Sequence, residues 1–232
     1  MRHTLNVMQL HGYTCSVYTE AQPSAFLLVQ PVDSNDQKEL PQEVVYMEEH
    51  CPQTFTFVAI HIPRWFEQLA PWCAPPIFGK TPFGDGAAAT LHDIRLICAS
   101  ILAETVAAPC TPVVLGGYSL AGLFALWSGY QYAFDAVVAA SPSVWYPQWL
   151  LYASEHHPLT PTFYLSIGDS ESKSKNKILS TVDDCLHRNI QLLEAKQVVH
   201  HFEYNQGNHF QENGVRTAKG FVWAMEHHTG IR

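Results

Sequence analysis

Ser119 stands in a run of small and apolar residues, Val113-Val114-Leu115-Gly116-Gly117-Tyr118-Ser119-Leu120-Ala121-Gly122-Leu123. A serine hydroxyl is a weak nucleophile until a base takes its proton and a carboxylate orients that base. Both partners occur downstream. Two carboxylates, Asp169 and Glu171, follow the apolar run Phe163-Tyr164-Leu165-Ser166-Ile167, and His209 lies in the polar turn Asn205-Gln206-Gly207-Asn208-His209-Phe210. With 13 histidines in the chain, position must choose among them. His200 and His201 fall inside an apolar strand pattern and His227 and His228 near the end of the chain, which leaves His209 as the candidate base. The chemistry implied is acyl transfer through a serine nucleophile.

Such a serine needs an element that lifts it clear of a sheet edge. Its surroundings read as strand, tight turn, helix, and small neighbours are required because strand and helix approach closely there. The strict G-x-S-x-G pattern has Gly where Ala121 stands, with Gly122 adding room. The Leu120 N–H, at the start of the helix, is aimed where an oxyanion would develop.

The remaining pattern supplies the frame. An antiparallel strand pair is expected at residues 4–10 and 14–19, turning at His11-Gly12, with further strands at 25–30, 54–62, 112–115, 136–140, 162–167 and 198–204. Helices are expected at about 41–50, with Pro41 in the first turn, after Asp85, and at 120–129, 148–153, 175–195 and 214–227. Alternating strands and helices imply an α/β fold, a mostly parallel central sheet with helices on both faces and the antiparallel pair at its N-terminal end. No internal repeat or linker divides the chain, so residues 1–232 are expected to form one domain.

Composition excludes several classes of function. Apolar residues make up 47% of the chain and charged ones 15%, which is globular rather than disordered. Thirteen Lys+Arg against 21 Asp+Glu give a net charge of −8 without a basic cluster, an unpromising surface for nucleic acid or anionic membranes. The uncharged stretch from Glu104 to Asp135 is broken by Pro112, Gly116, Gly117, Ser119, Ser128 and Gly129, so a buried strand, turn and helix are expected instead of a membrane span. The first residues lack a signal-peptide pattern and the six cysteines form no C-x-x-C, which points to reduced, buried thiols in a cytoplasmic protein. The paired histidines His156-His157, His200-His201 and His227-His228 would diverge on any regular element, so neither metal nor cofactor is expected.

The segment from Gly117 through Ser143-Val144-Trp145-Tyr146-Pro147, with Phe134-Asp135 and Ser141-Pro142-Ser143 inside it, resembles the α/β-hydrolase family that contains D-type esterases, S-formylglutathione hydrolase, enterochelin (siderophore) esterases and feruloyl esterases. The resemblance runs from about residue 25 to the C-terminus. It implies an α/β-hydrolase fold and a carboxylic-ester hydrolase acting on a small-molecule ester through Ser119, an acid and His209. Many members of that fold place the acid three residues after the strand-end glycine, which points to Glu171, with Asp169 as the alternative. The resemblance also implies a second oxyanion donor after the third strand. Gln30-Pro31 departs from the usual Asp-Gly there, and since Pro31 has no N–H the donor becomes Val32 or a neighbour. The aromatic loop 63–84, with Arg64, together with Trp145 and Tyr146, would wall a substrate pocket. Two other readings remain open, an acyltransferase of the same fold and a degenerate hydrolase that only binds. The glycine- and cysteine-rich oxyanion segment of S-formylglutathione hydrolases is absent, and the sequence leaves the oligomeric state undefined.

Overall fold

Runs of apolar residues without polar alternation, such as Phe26-Leu27-Leu28-Val29, demand cover on both faces. In the computed structural model, which describes residues 2–77, 79–104 and 110–228, they receive it. Eight strands, β1 (Thr4–Leu10), β2 (Tyr13–Thr19), β3 (Phe26–Val32), β4 (Phe55–His61), β5 (Val113–Tyr118), β6 (Ala136–Ala140), β7 (Thr162–Gly168) and β8 (Val199–Asn205), form one sheet in the order β1-β2-β4-β3-β5-β6-β7-β8. β1 pairs antiparallel with β2, and β2 with β4, while β3 to β8 run parallel. This is the expected mostly parallel sheet with an antiparallel N-terminal pair.

Alternate side chains of each central strand enter opposite layers. Leu27 and Val29 join the core beneath α3 (Ala87–Glu104), α4 (Leu120–Gln131), α5 (Trp149–Glu155) and α6 (Val182–Ala195). Leu28 and Val32 join the core beneath α1 (Asp36–His50) and α7 (Asn213–Glu226). A short helix, α2 (Trp65–Gln68), lies within the aromatic loop. No helix of the described residues is long and apolar enough to cross a membrane.

Two helices depart from the pattern read in the sequence. α1 begins at Asp36, ahead of the expected start, because the Asp33 carboxylate accepts the N–H groups of Asn35 (2.6 Å) and Asp36 (2.9 Å) and starts the helix there. Pro41 is therefore inside the helix, where it forfeits one i→i−4 bond. Conversely, the helix expected from Lys175 begins only at Val182. Asn176 Oδ1 takes the N–H groups of Ile178 (2.9 Å) and Leu179 (3.3 Å), and side-chain acceptors of this kind divert the backbone into 3₁₀ turns, here at Leu179–Thr181.

Pro31 turns out to lie within β3, where it costs no ladder bond. The β3–β5 ladder stops at Val29↔Leu115, and alternation points the Pro31 peptide groups to that vacated side.

Glu43 of α1 is fully buried, and neither carboxylate oxygen meets a donor in hydrogen-bonding geometry. Burial, reinforced by the charge of Asp36, pushes its carboxyl well above the ordinary range, with Gln30 opposing. A carboxyl whose folded pKa is raised binds more protons folded than unfolded. Stability therefore falls as pH climbs from the ordinary carboxylate value towards the raised one, by up to about 1.4 kcal/mol per pH unit. Glu43→Met should accordingly stabilise the fold by about 1–3 kcal/mol at pH 7, with the gain shrinking towards pH 4.5. Urea denaturation at several pH values measures this, and a pH-independent loss of stability would contradict it.

The cysteines divide more evenly than the sequence suggested. All six are free, but only Cys15, Cys51 and Cys98 are buried, whereas Cys73 and Cys110 are exposed and Cys185 is half-buried. Burial drives the Cys98 thiol up to about 12 and Cys15 to about 11, which leaves both inert.

Candidate active site

The carboxyl ends of β5, β6, β7 and β8 lie side by side, and each delivers one part of the site. From β5 the chain turns sharply into α4 through Ser119, held at φ 57° and ψ −118°. For a residue with a Cβ this is strained backbone, costing about 1–3 kcal/mol and kept only where surrounding bonds enforce it. Here the Ser119 N–H donates to the Ala140 carbonyl (3.1 Å), while its own carbonyl accepts from Leu123 and Ser143 (3.0 Å each). Gly117 makes the turn sterically feasible, because a Cβ there would lie 2.3 Å from the Ala121 carbonyl oxygen. Leu120 opens α4, so its N–H has no intrahelical acceptor and remains available for an anion.

His209 Nε2 lies 2.9 Å from Ser119 Oγ, and His209 Nδ1 lies 2.7 Å from Glu171 Oε2. Both pairs are at hydrogen-bond distance, so one line of bonds joins serine, histidine and glutamate. The loop carrying His209 is fixed at several points. The Gly207 N–H donates to Asp169 Oδ1 (3.0 Å), and the Tyr118 hydroxyl donates to the His209 carbonyl (2.8 Å). Gly207 has φ 103°, a conformation that favours glycine.

Of the two candidate acids, Glu171 reaches the histidine and Asp169 does not. Asp169 is exposed, bonded to Ser170 Oγ (2.8 Å) and to Gly207, and so braces the histidine loop. These two bonds, Ser170 first, lower its pKa. Glu171 is buried in a 3₁₀ turn after β7, and its Oε1 accepts from Ser141 Oγ (2.7 Å), the Gly168 N–H (2.8 Å) and Arg216 Nη1 (3.2 Å). Burial alone would raise its pKa. The bond and charge of His209, with Ser141 and Gly168, outweigh burial and hold it below the usual value. That stabilisation is in place above the ordinary carboxylate range and is lost as pH falls through the lowered value.

Ser141, Tyr118 and Arg216 were not singled out as site residues from the sequence. Ser141 carried a signal in its S-P-S-x-W context, and the structure shows it buried at φ 44°. Arg216 carried a subtler one, as a lone arginine in the apolar stripe of α7.

Val32 does not take the role expected for it. Its carbonyl accepts from the Ile62 N–H (3.0 Å), so Val32 faces β4, and in a parallel strand its own N–H faces the same ladder. Tyr146 also departs from expectation. It is buried, with its ring against Phe83 and its hydroxyl donating to the Trp72 carbonyl (2.5 Å), and serves to pack the loop rather than to line a pocket. Trp145 is half-buried beside Phe83. Arg64 pairs with Glu67 (3.0 Å) and lines a groove of about 730 Å³ with Trp65, Phe66 and Phe83. Phe78, part of the aromatic loop, lies outside the described residues. Among the described residues no group of three or more His, Cys, Asp or Glu is placed to hold a metal ion.

A mostly parallel sheet of this strand order, with a strained serine elbow after β5, defines the α/β-hydrolase fold. By sequence the chain matches no protein-family profile and no curated protein. Its structure is similar to siderophore hydrolase EstB from Aspergillus nidulans, with a TM-score of 0.78 and 16% identity over 100% of this chain and 98% of that one. Siderophore hydrolase EstA from the same organism gives 0.71 and 18%, over 96% and 94%. The BES protein from Bacillus cereus gives 0.66 and 18%, over 97% and 96%. At these identities the likeness establishes the fold.

Proposed function

We propose that this chain is a serine esterase that hydrolyses small-molecule carboxylic esters through an acyl-enzyme. The observation that carries the reading is the line of bonds from Ser119 Oγ through His209 to Glu171. In this mechanism Ser119 Oγ attacks the ester carbonyl as its proton passes to His209 Nε2. Glu171 keeps the other ring nitrogen protonated and stabilises the imidazolium. The Leu120 N–H receives the oxyanion. His209 then protonates the departing alcohol, and a water activated by the same imidazole releases the acid.

Phe83, in the wall of the groove beside Arg64, packs against Trp145, two residues beyond the Ser143 N–H that bonds the Ser119 carbonyl, and this groove would take the larger part of the substrate. The siderophore hydrolases of similar structure make siderophore esters the first natural substrates to test. Retention of all three side chains at bonding distance argues against a module that only binds. The free, exposed Cys73 and Cys110 suit a reducing, cytoplasmic setting.

Turnover of a p-nitrophenyl ester tests this assignment together with the choice of acid. Glu171→Gln should lower kcat by roughly 10³- to 10⁴-fold, because an amide cannot hold the imidazolium. Asp169→Asn should cost less than about tenfold, since it only loosens the histidine loop. No hydrolysis by the wild type, or equal losses in the two variants, would overturn the assignment.

A further inference from the structure

A guanidinium taken out of water is costly unless it is paired and hydrogen-bonded, and removing its partner is strongly destabilising. Arg216 on α7 is 1% exposed, and its planar fork reaches three of the segments that build the site. Nη1 donates to Glu171 Oε1 (3.2 Å), beyond β7, and to the Tyr118 hydroxyl (3.2 Å), immediately before the nucleophile. Nη2 donates to the Gln206 carbonyl (2.9 Å), in the loop that carries His209. Ser141 Oγ, after β6, lies 3.4 Å from Nη1 and itself donates to Glu171. Tyr118 passes the connection on through its bond to the His209 carbonyl. Acid, base loop and nucleophile elbow therefore meet at one buried cation.

We propose that Arg216 is a positioning residue of the triad, holding Glu171 Oε1 and the His209 loop in register so that Glu171 Oε2 remains on His209 Nδ1. The proposal rests on the esterase reading given above. Only arginine suits the place. A lysine ammonium is a point donor and cannot serve a carboxylate and a carbonyl in diverging directions, whereas the guanidinium plane does both. A pin for the histidine loop alone would need the Gln206 bond and some counter-charge for the buried cation. The second arm, on the oxygen of Glu171 that the histidine leaves free, ties Arg216 to the acid itself.

The test uses Arg216→Met, Arg216→Lys, Glu171→Gln and the double variant Arg216→Met/Glu171→Gln. Each is assayed for p-nitrophenyl ester turnover, for folding by circular dichroism, and for the downfield proton resonance of His209 Nδ1–H. Arg216→Met should lower kcat by about tenfold to a hundredfold with KM within about twofold, the scale expected when a catalytic group drifts by an ångström. The downfield resonance should shift or vanish. The double variant should be no slower than Glu171→Gln, because Arg216 acts through the residue already lost. If Arg216→Met does not fold, Arg216→Lys carries the test, with a smaller fall in kcat and a shifted resonance expected. Wild-type kcat in a folded variant, an unmoved resonance, or losses that multiply in the double variant would overturn the proposal. Ester turnover that survives Ser119→Ala would instead defeat the esterase reading itself, so the two failures are distinguishable.

Discussion

Ser119→Ala should reduce kcat for an activated ester by roughly 10⁵- to 10⁶-fold, leaving only the rate enhancement that oxyanion contacts and binding provide. The expectation follows from the elbow. The backbone at φ 57° is held by three hydrogen bonds, one donated to the Ala140 carbonyl and two accepted from the Leu123 and Ser143 N–H groups, none of which involves the serine side chain. Alanine can therefore occupy the same conformation, and the loss should fall on chemistry rather than folding. Steady-state kinetics beside a thermal melt would show this as an unchanged midpoint with turnover gone. A variant that melts early would point instead to a structural role for the hydroxyl.

A loss of similar size, about 10⁵- to 10⁶-fold in kcat, should follow His209→Ala, because a nucleophile without its base is as idle as a base without its nucleophile. The effect should be specific to this histidine. His201 stacks on Trp223 and Tyr164, and His227 stacks on Trp223, on the helix α7 side of the sheet. His201→Ala should therefore keep kcat within about twofold, with any cost confined to stability. The His209 loop keeps its own anchors in the variant, since Gly207 bonds Asp169 and Tyr118 bonds the main-chain carbonyl at 209. If His209→Ala and His201→Ala lost activity alike, the assignment of the base would fall.

Features with a strong period or a steric requirement were legible in the sequence. The doubly covered strands, the serine turn and the polar histidine turn are each set by local pattern, and they positioned Ser119 and His209 without coordinates. Glu171 is favoured over Asp169 only through the family resemblance, because both follow the same strand and side-chain direction in a 3₁₀ turn is not encoded by spacing. Arg216 was harder still. It is 45 residues from Glu171 in the chain and meets it only once the sheet and α7 are assembled. Val32 was misplaced for a related reason. The ladder that occupies its peptide groups belongs to β4, and pairing partners in a parallel sheet are set by the crossover rather than by the strand itself. The late start of α6 and early start of α1 came from single side chains, Asn176 and Asp33, outbidding periodicity. Tyr146, next to Trp145 after β6, reads as a pocket wall by residue type alone, which does not say that its ring is buried against the loop.

The most direct measurement of the central claim is covalent labelling with a fluorophosphonate probe, followed by peptide mapping. One phosphonyl group per chain on Ser119, absent from Ser119→Ala and strongly slowed in His209→Ala, is the predicted result. No labelling of the folded wild type, or an adduct on any other residue that persists in Ser119→Ala, would contradict it.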